Sequence, residues 1–448
     1  MSAAAVPAGP RGTPLLGHLL AFRKDPLGFL VRMARDYPGE IVHFRQGPRD
    51  VFLVKHPDLV KDVLVTRQHD FSKSRALQWA KLFLGEGLLT SEGEFHTRQR
   101  RLAQPAFHRQ RIGEYGADMV RRTVEARERW TEGEVIGLDV EMMRLTLAVV
   151  SSSLFGKDVG ASAGEIREDL ATIISLFPRF SLPFFGLIQK LPLPSNARFD
   201  RAVTRLDGIV HRLIAERRAG GGDRGDLLSM LLLAQDEEGD GGGMSDRQLR
   251  DEVVTLLLAG HETTSNALTW TWYLLSQNPQ AEARWREELR SVLGGRPPTF
   301  EDLPSLKYTE MVMAESMRLF PPAWGIGRRA LRDVELGGFR IPAGSVLVLP
   351  PYVIHRDERF WPDPLRFDPE RFTAEARAAR PRFAYFPFGG GARSCIGESF
   401  AWMEGVLLLA TVGQRWRLRL LPGHLVEPQA LITLRPRYGM KMIVESAG

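Results

Sequence analysis

The feature that most constrains the fold is one unusually long helix candidate in the second half of the chain. Ser245 with Gln248 three residues later forms a capping-box pattern, and helical spacing then continues to about Asn278, which Pro279 follows. At about 1.5 Å per residue such a helix is on the order of 50 Å long, enough to cross the whole molecule. Strand-like alternation occurs near the start of the chain. We therefore predict a mixed but mainly helical fold.

The middle of this helix carries the sequence LLLAGHETTSNAL, which conflicts with a regular buried helix. Gly260 costs about 1 kcal/mol there relative to alanine. The hydroxyl groups of Thr263 and Thr264 can bond back to carbonyl groups and bend the helix. Local conflicts of this kind are expected at functional sites. The structural alternative is an amphipathic helix with one polar notch.

The densest glycine cluster, FGGGARSCIG at residues 388–397, contains the only cysteine of the 448-residue chain. Its three consecutive glycines allow the backbone to turn tightly and to approach an acceptor. Helical spacing follows directly after Gly397, so Cys395 is predicted at or just before a helix N-terminus. The helix dipole and free N–H groups favour a thiolate there. The alternative is a buried thiol that acts as a small hydrophobic side chain.

The pattern Phe-x-x-Gly-x-Arg-x-Cys-x-Gly around Cys395 resembles the haem-binding loop of the cytochrome P-450 family. The pattern Ala-Gly-x-Glu-Thr-Thr in the long helix is similar to the family's helix on the distal face of the haem. The likeness extends to Glu315-x-x-Arg318 followed by Arg371. The resemblance implies that these three residues form a triad with a structural role. It implies the cytochrome P-450 fold, mainly α with small β-sheets (α+β), with haem between the long central helix and the cysteine-loop helix.

The resemblance also implies site residues and a cofactor, haem b (iron protoporphyrin IX). Cys395 would be the axial metal ligand, whose thiolate pushes electron density toward the iron and favours O–O cleavage. Glu262 and Thr263 would handle protons. The residues implied to bind the cofactor are His96, Arg100, Ala259, Gly260, Arg328, Phe388, Gly389, Arg393, Cys395 and Gly397.

His96 and Arg100 are four residues apart and therefore share one face of a helix. By the resemblance they contact the haem propionates, as do Arg328 and Arg393. Without that context, a solvated basic helix would be the better interpretation. Many relatives carry tryptophan where His96 stands, although histidine is a familiar variant.

The implied substrate pocket is lined by mostly apolar segments with few polar groups. They are residues 71–89, 176–194, 257–263, 323–326, 431 and 432. Such a lining predicts a lipophilic small molecule such as a fatty acid, terpenoid or steroid. Segment 71–89 is poor material for a regular element and is a candidate lid. Segment 176–194 has the alternative of a bulky loop packed on the core.

The implied activity is that of a monooxygenase, which uses dioxygen to hydroxylate or epoxidise the substrate. It needs two electrons, and no flavin or nicotinamide fingerprint follows a strand in this sequence. We therefore expect a ferredoxin or flavodoxin with its reductase as separate partners, docking on a basic face with Arg98, Arg101 and Arg109 free. The alternatives are a haem-thiolate peroxygenase or isomerase, which typically lack the acid–threonine pair, and a noncatalytic haem-binding sensor.

Composition excludes several other classes. A single cysteine excludes a disulfide framework and suits a reducing cytoplasm. No run of 18 apolar residues occurs, so we expect no membrane anchor. The net charge of +6 comes from scattered arginines interleaved with acidic residues, which argues against nucleic-acid binding. We expect a cytoplasmic monomer with a single domain over residues 1–448 and a short N-terminal arm at about residues 1–15.

Overall fold

The structure, a computed structural model, describes residues 6–156, 162–176, 179, 185–236, 239 and 241–447. Within the predicted pocket segment 176–194, residues 177, 178 and 180–184 lie outside the described residues. The α-helices are α1 (Leu19–Lys24), α2 (Pro26–Asp36), α3 (Pro57–Lys61), α4 (Arg75–Trp79), α5 (Lys81–Leu84), α6 (Gly93–Ala103), α7 (Arg109–Arg127), α8 (Leu138–Phe155), α9 (Ser162–Leu176), α10 (Phe185–Ile188), α11 (Pro194–Gly220), α12 (Leu227–Leu233), α13 (Asp246–Gln277), α14 (Pro279–Leu293), α15 (Lys307–Leu319), α16 (Pro351–Ile354), α17 (Ala374–Ala378) and α18 (Glu398–Gly413).

Short strands accompany these helices, and the predicted mainly helical class with small sheets is confirmed. The strands are β1 (Ile41–Gln46), β2 (Arg49–Val54), β3 (Phe71–Lys73), β4 (Val135–Gly137), β5 (Ile326–Ala330), β6 (Val334–Leu336), β7 (Phe339–Ile341), β8 (Val346–Leu349), β9 (Trp416–Leu420), β10 (Pro428–Ala430), β11 (Leu434–Pro436) and β12 (Lys441–Ser446).

The chain forms two compact units, which we call the sheet unit and the helical unit. The sheet unit comprises residues 1–78 and 317–395, and the helical unit comprises residues 79–316 and 396–448. The single domain expected from the sequence stays a prediction.

The sheet unit is built on a five-stranded sheet with the order β1-β2-β8-β5-β3. β1 and β2 form the predicted antiparallel hairpin, with Ile41 opposite Val54, while β2 runs parallel to β8. Successive side chains of a strand point to opposite faces. Phe52 and Val54 accordingly lie in one buried cluster, and Val51 and Leu53 lie in another. Both faces of β2 are therefore buried in apolar packing.

The long helix of the helical unit is α13, and its predicted start is confirmed. The Ser245 side chain accepts a hydrogen bond from the Gln248 backbone, and the Gln248 side chain accepts one from the Ser245 backbone. The helix continues to Gln277, with Asn278 as C-cap. A Cβ atom on Gly260 would lie 2.8 Å from Cγ2 of Val150 on α8. Glycine at this position therefore permits the close approach of two buried helices.

The prediction that segment 71–89 contains no regular element was wrong. It contains β3, which pairs antiparallel with β5, and the short helices α4 and α5. Phe71 at the start of β3 is only 2% exposed. Strand pairing and burial override the weak local signal there, since β-propensity depends strongly on context.

Among the described residues, no helix is long and apolar enough to cross a membrane.

Candidate functional site

Residues 388–395 of the cysteine loop belong to the sheet unit. Gly389 and Gly391 have φ angles of +74° and +71°, a conformation that favours glycine. A Cβ atom on Gly391 would lie 1.9 Å from the backbone oxygen of Leu64, so no larger residue fits there. The backbone N–H of Cys395 donates to the carbonyl of Phe388 at 2.9 Å. This folding leaves the cysteine side chain exposed.

Two polar side chains of the sheet unit anchor this loop, and sequence reasoning missed both. Gln68 accepts a hydrogen bond from the backbone N–H of Ala392 at 3.0 Å. Nε2 of the fully buried His355 accepts one from the backbone N–H of Phe386 at 3.0 Å. Burial, and then the nearby cationic side chains, hold the pKa of His355 well below its usual range. A neutral imidazole is required for this acceptor role.

The predicted propionate ligands of the sheet unit are Arg328 and Arg393. Arg328 lies on β5, is 8% exposed and donates to the carbonyl of Gly327 at 3.1 Å. Arg393 and Phe388 are half-buried within the cysteine loop. Glycines 389 and 397 lie before and after Cys395, and Gly397 is the N-cap residue of α18.

The structural arginine predicted from Glu315-x-x-Arg318 is fully buried at the end of α15. Arg318 donates to the carbonyl groups of His355 at 2.8 Å and Pro364 at 2.7 Å. Arg371 donates to the carbonyl of Asp363 at 2.8 Å. Both arginines therefore satisfy loop carbonyl groups within the sheet unit, which suits a structural role.

In the helical unit, α6 carries His96 and Arg100 on one face. His96 is 6% exposed, and Arg100 is half-buried. Their predicted contact with a cofactor stays a prediction.

The prediction that Arg98 and Arg101 stand free on a basic face was wrong. Arg101 donates to both carboxylate oxygens of Asp236, at 3.0 and 2.9 Å. Nε of Arg98 lies 3.4 Å from the same carboxylate, and its Nη2 donates to the carbonyl of Gly242 at 3.0 Å. The buried Asp236 needs compensating charge, so both arginines are committed to it. The side chain of Arg109 lies outside the described residues.

On α13 the predicted notch is visible as a local change in burial. Ala259 is exposed, and Gly260 and Thr263 are half-buried, whereas the flanking residues are buried. Thr263 lies four residues after Ala259 and three after Gly260, so all three positions lie on one side of the helix. The Thr263 hydroxyl donates to the carbonyl of Ala259 at 2.6 Å. A surface with only small side chains thus interrupts an otherwise packed helix.

Glu262 is 1% exposed and is held by groups that the sequence did not indicate. Nε and Nη2 of Arg435, at 2.9 and 2.7 Å, contact its Oε1 atom. The Thr433 hydroxyl donates to the same oxygen. The neighbouring His261 donates from Nδ1 to the carbonyl of Leu257, and burial lowers its pKa. The acid of the predicted pair is therefore ion-paired.

Sequence reasoning also missed the buried carboxyl group of Glu404 on α18. It is fully buried, and burial raises its pKa to about 8, while the Thr264 hydroxyl on α13 opposes the rise. At neutral pH this carboxyl is mostly protonated. The signal available in the sequence was a glutamate inside the apolar run that follows the cysteine loop.

The donor set of these residues fits a haem. Among the described residues, no three His, Cys, Asp or Glu side chains lie together to hold a metal ion. The exposed thiol of Cys395, the single cysteine of the chain, therefore suits a metal that brings its other ligands with it, as haem iron does. Taken by itself, the helical unit has a small-residue face at 259 and 260, where no large side chain would obstruct a flat group.

A sequence profile described as "Cytochrome P450" matches residues 7–442. Cyclooctatin synthase from Streptomyces melanosporofaciens is 44% identical over 427 residues, which cover 95% of this chain and 92% of that protein. Cyclooctat-9-en-7-ol 5-monooxygenase from the same organism is 40% identical, covering 92% and 90%. Pentalenene oxygenase from Streptomyces avermitilis is 36% identical, covering 95% and 94%.

Among solved structures, the heme domain of cytochrome P450DA superposes with a TM-score of 0.89 at 27% sequence identity. The superposition covers 99% of this chain and 98% of that chain.

Proposed function

The chain belongs to the cytochrome P450 family, and from this premise we propose that it hydroxylates or epoxidises a terpenoid. It has the family fold and is an oxidoreductase of the monooxygenase type. The finer substrate assignment is supported by the three Streptomyces relatives, which are terpenoid-modifying enzymes. The mostly apolar lining predicted for the pocket agrees with a substrate that offers few polar groups.

The family implies a haem cofactor, and we propose that it is iron protoporphyrin IX. Cys395 would supply the thiolate that holds the haem iron, since it is the only cysteine of the chain and its side chain is exposed. The four side chains proposed to hold the propionates are His96, Arg100, Arg328 and Arg393. The bound haem would supply dioxygen activation, with one oxygen atom inserted into the substrate and the other reduced to water.

The polar residues of α13 would move protons in a pocket whose apolar walls exclude bulk water. The Thr263 hydroxyl donates to the helix carbonyl, so its lone pairs remain able to accept a hydrogen bond from a water. Glu262 precedes it by one residue and would exchange protons between such a water and solvent. The stiff side chain of threonine would hold the hydroxyl in place.

Electrons would arrive from a ferredoxin or flavodoxin with its own reductase. The docking surface is not formed by free Arg98 and Arg101 side chains, because both are committed to Asp236. The cytoplasmic location and the monomeric state stay predictions.

The haem-thiolate assignment is tested by the reduced protein with carbon monoxide. We expect the strongly red-shifted Soret band that thiolate ligation produces. Cys395→Ala should lose that band, whereas His355→Gln, which changes a loop anchor, should retain the thiolate. A Cys395→Ala protein with an unchanged band would refute the assignment.

The substrate class is tested by adding terpenoid alcohols and hydrocarbons, with fatty acids of matched carbon number as controls. Binding is followed by the absorption change of ferric haem, and turnover by oxygenated product per reduced nicotinamide consumed. We expect terpenoids to give the larger spectral change and more oxygenated product per reduced nicotinamide consumed. Preferential turnover of the matched fatty acids would refute the terpenoid assignment.

A further inference from the structure

The carboxylate of Glu262 is held by a hairpin near the C-terminal end of the chain. β10 and β11 form this hairpin, with Ala430 opposite Leu434. Thr433 precedes β11, and Arg435 lies within it. Both contact Oε1 of Glu262, although Arg435 is 173 positions away along the chain. The acid of the proton relay is therefore fixed by a distant element of the same unit.

Three hydrogen-bonding side chains in a row on α13, which we call the polar stripe, bind this hairpin. Glu262, Asn266 and Trp270 lie at i, i+4 and i+8 and share one face of the helix. Nδ2 of Asn266 donates to the Thr433 hydroxyl at 3.0 Å and to the Glu262 carbonyl at 2.9 Å. Nε1 of Trp270 donates to the carbonyl of Leu434 at 3.0 Å. Each position of the stripe is thus tied to the strand.

The two oxygens of the Glu262 carboxylate differ in their surroundings. Arginine and carboxylate commonly form a bidentate pair that uses both oxygens. Here Nε and Nη2 of Arg435 both contact the same oxygen, Oε1. Oε2 is buried and has no hydrogen-bond partner among the described residues. A buried carboxylate oxygen without a partner is costly, so Oε2 is the oxygen whose charge is left uncompensated and the one of the two that is able to take up a proton.

We propose that Arg435 is a positioning residue for oxygen chemistry: it fixes Oε1 of Glu262, so that Oε2 is the atom that exchanges protons. This inference rests on the proposed function. A proton from solvent would pass through water to Oε2, and the resulting acid would give it to a water beside Thr263, which releases one of its own protons toward the oxygen atom that is reduced to water. The carboxylate is then regenerated, and the relaying water stays neutral.

Arg435 also prevents Glu262 from turning away. Its guanidinium is a planar fork that fixes the direction of the carboxylate, whereas lysine would supply only a point charge. The hairpin turn contains Leu431 and Ile432, which we predicted to line the substrate pocket. Thr433 follows them directly, so the position of this turn is coupled to the acid through one residue.

The test compares Arg435→Gln, Arg435→Lys and Thr433→Val with Arg437→Gln as the matched control. Arg437 is on the same hairpin segment, but its side chain is 56% exposed and pairs with Glu427. Each holoenzyme is assayed for product and hydrogen peroxide per reduced nicotinamide and for the solvent deuterium isotope effect. The carbon monoxide band and the substrate-induced spectral change are recorded for each protein. Chemical unfolding of Arg435→Gln, Glu262→Gln and the double variant measures the pairing without using activity.

For Arg435→Gln we expect roughly ten-fold less product per nicotinamide, more hydrogen peroxide and a larger isotope effect, because a proton donor is misplaced. The carbon monoxide band and substrate binding should persist. Arg435→Lys should recover part of the coupling, Thr433→Val should lose less than Arg435→Gln, and Arg437→Gln should match the wild type. The unfolding midpoint of the double variant should lie above the value expected from adding the two single effects.

Wild-type coupling and isotope effect in Arg435→Gln would overturn the proposal. If that variant does not fold, wild-type coupling in both Arg435→Lys and Thr433→Val would overturn it equally. The proposed function is tested separately, in the wild type. A wild-type protein without the thiolate band would refute that function, whatever the Arg435 variants do.

Discussion

Glu404→Gln should reduce the loss of folding stability that occurs as the pH rises from 5 to 8. Glu404 is fully buried on α18, and burial raises its pKa from 4.5 to about 8. The folded state therefore keeps the proton over a pH range in which the unfolded state has already lost it. Stability from this group is complete below the unfolded pKa and is lost as the pH rises toward about 8.

The magnitude follows from the difference between the two pKa values. One pKa unit corresponds to about 1.36 kcal/mol, so between pH 5 and pH 8 the wild type should lose roughly 3–4 kcal/mol relative to a neutral isostere. Total stabilities are about 5–15 kcal/mol, which makes this a large fraction. Glutamine keeps the size and removes the titration. The free energy of unfolding of the wild type, minus that of the variant, should therefore be smaller at pH 8 than at pH 5 by this amount.

The assay is denaturant unfolding of both holoenzymes at several pH values between 5 and 8, followed by circular dichroism. Other titrating groups and the cofactor contribute equally to both proteins, so the wild-type minus variant difference isolates Glu404. Glu375→Gln, at an exposed position on the short helix α17, is the control and should give a flat difference. A Glu404→Gln difference that varies by less than about 1 kcal/mol across this range would refute the reasoning.

Two further predictions concern the notch of α13. Gly260→Ala should lower the free energy of unfolding by about 1 kcal/mol, because overlap with Val150 outweighs the better helix propensity of alanine. In a Val150→Ala background the same change should instead stabilise, and destabilisation in both backgrounds would contradict the overlap. Thr263→Val keeps the branched shape and removes the hydroxyl, so haem incorporation and substrate binding should persist while reducing equivalents drain into hydrogen peroxide. An unchanged ratio of product to reduced nicotinamide would exclude an essential Thr263 relay.

The features that sequence reasoning predicted correctly are local ones. The start of α13 follows from Ser245 and Gln248, whose reciprocal bonds involve residues three apart. The β1–β2 hairpin follows from alternation over a few residues on each side of Gly47, whose φ of +61° suits the turn. The tight cysteine loop follows from its consecutive glycines. In each case the physical cause lies within a few residues of the effect.

The errors and omissions involve partners that are distant in the chain. Arg101 was expected to be free, but it pairs with Asp236, 135 positions away. His355 anchors Phe386 from 31 positions away. Side-chain charge and polarity are visible in a sequence, whereas the choice among many possible partners depends on tertiary packing. A charged residue on a helix therefore cannot be assigned to solvent or to an ion pair from its spacing alone.

The burial of the polar stripe on α13, and its need for hydrogen-bond partners, follow from the sequence alone. Glu262, Asn266 and Trp270 recur at helical spacing on a helix whose length and apolar character already predict burial. Buried polar groups are almost always hydrogen-bonded, so the stripe predicts that a complementary polar element must lie against it. The sequence does not identify that element, because any of many arginines could form an ion pair with Glu262. The fold selects Arg435 because β11 lies beside Trp270, and this selection makes the acid of the proposed relay dependent on a hairpin that also carries predicted substrate contacts.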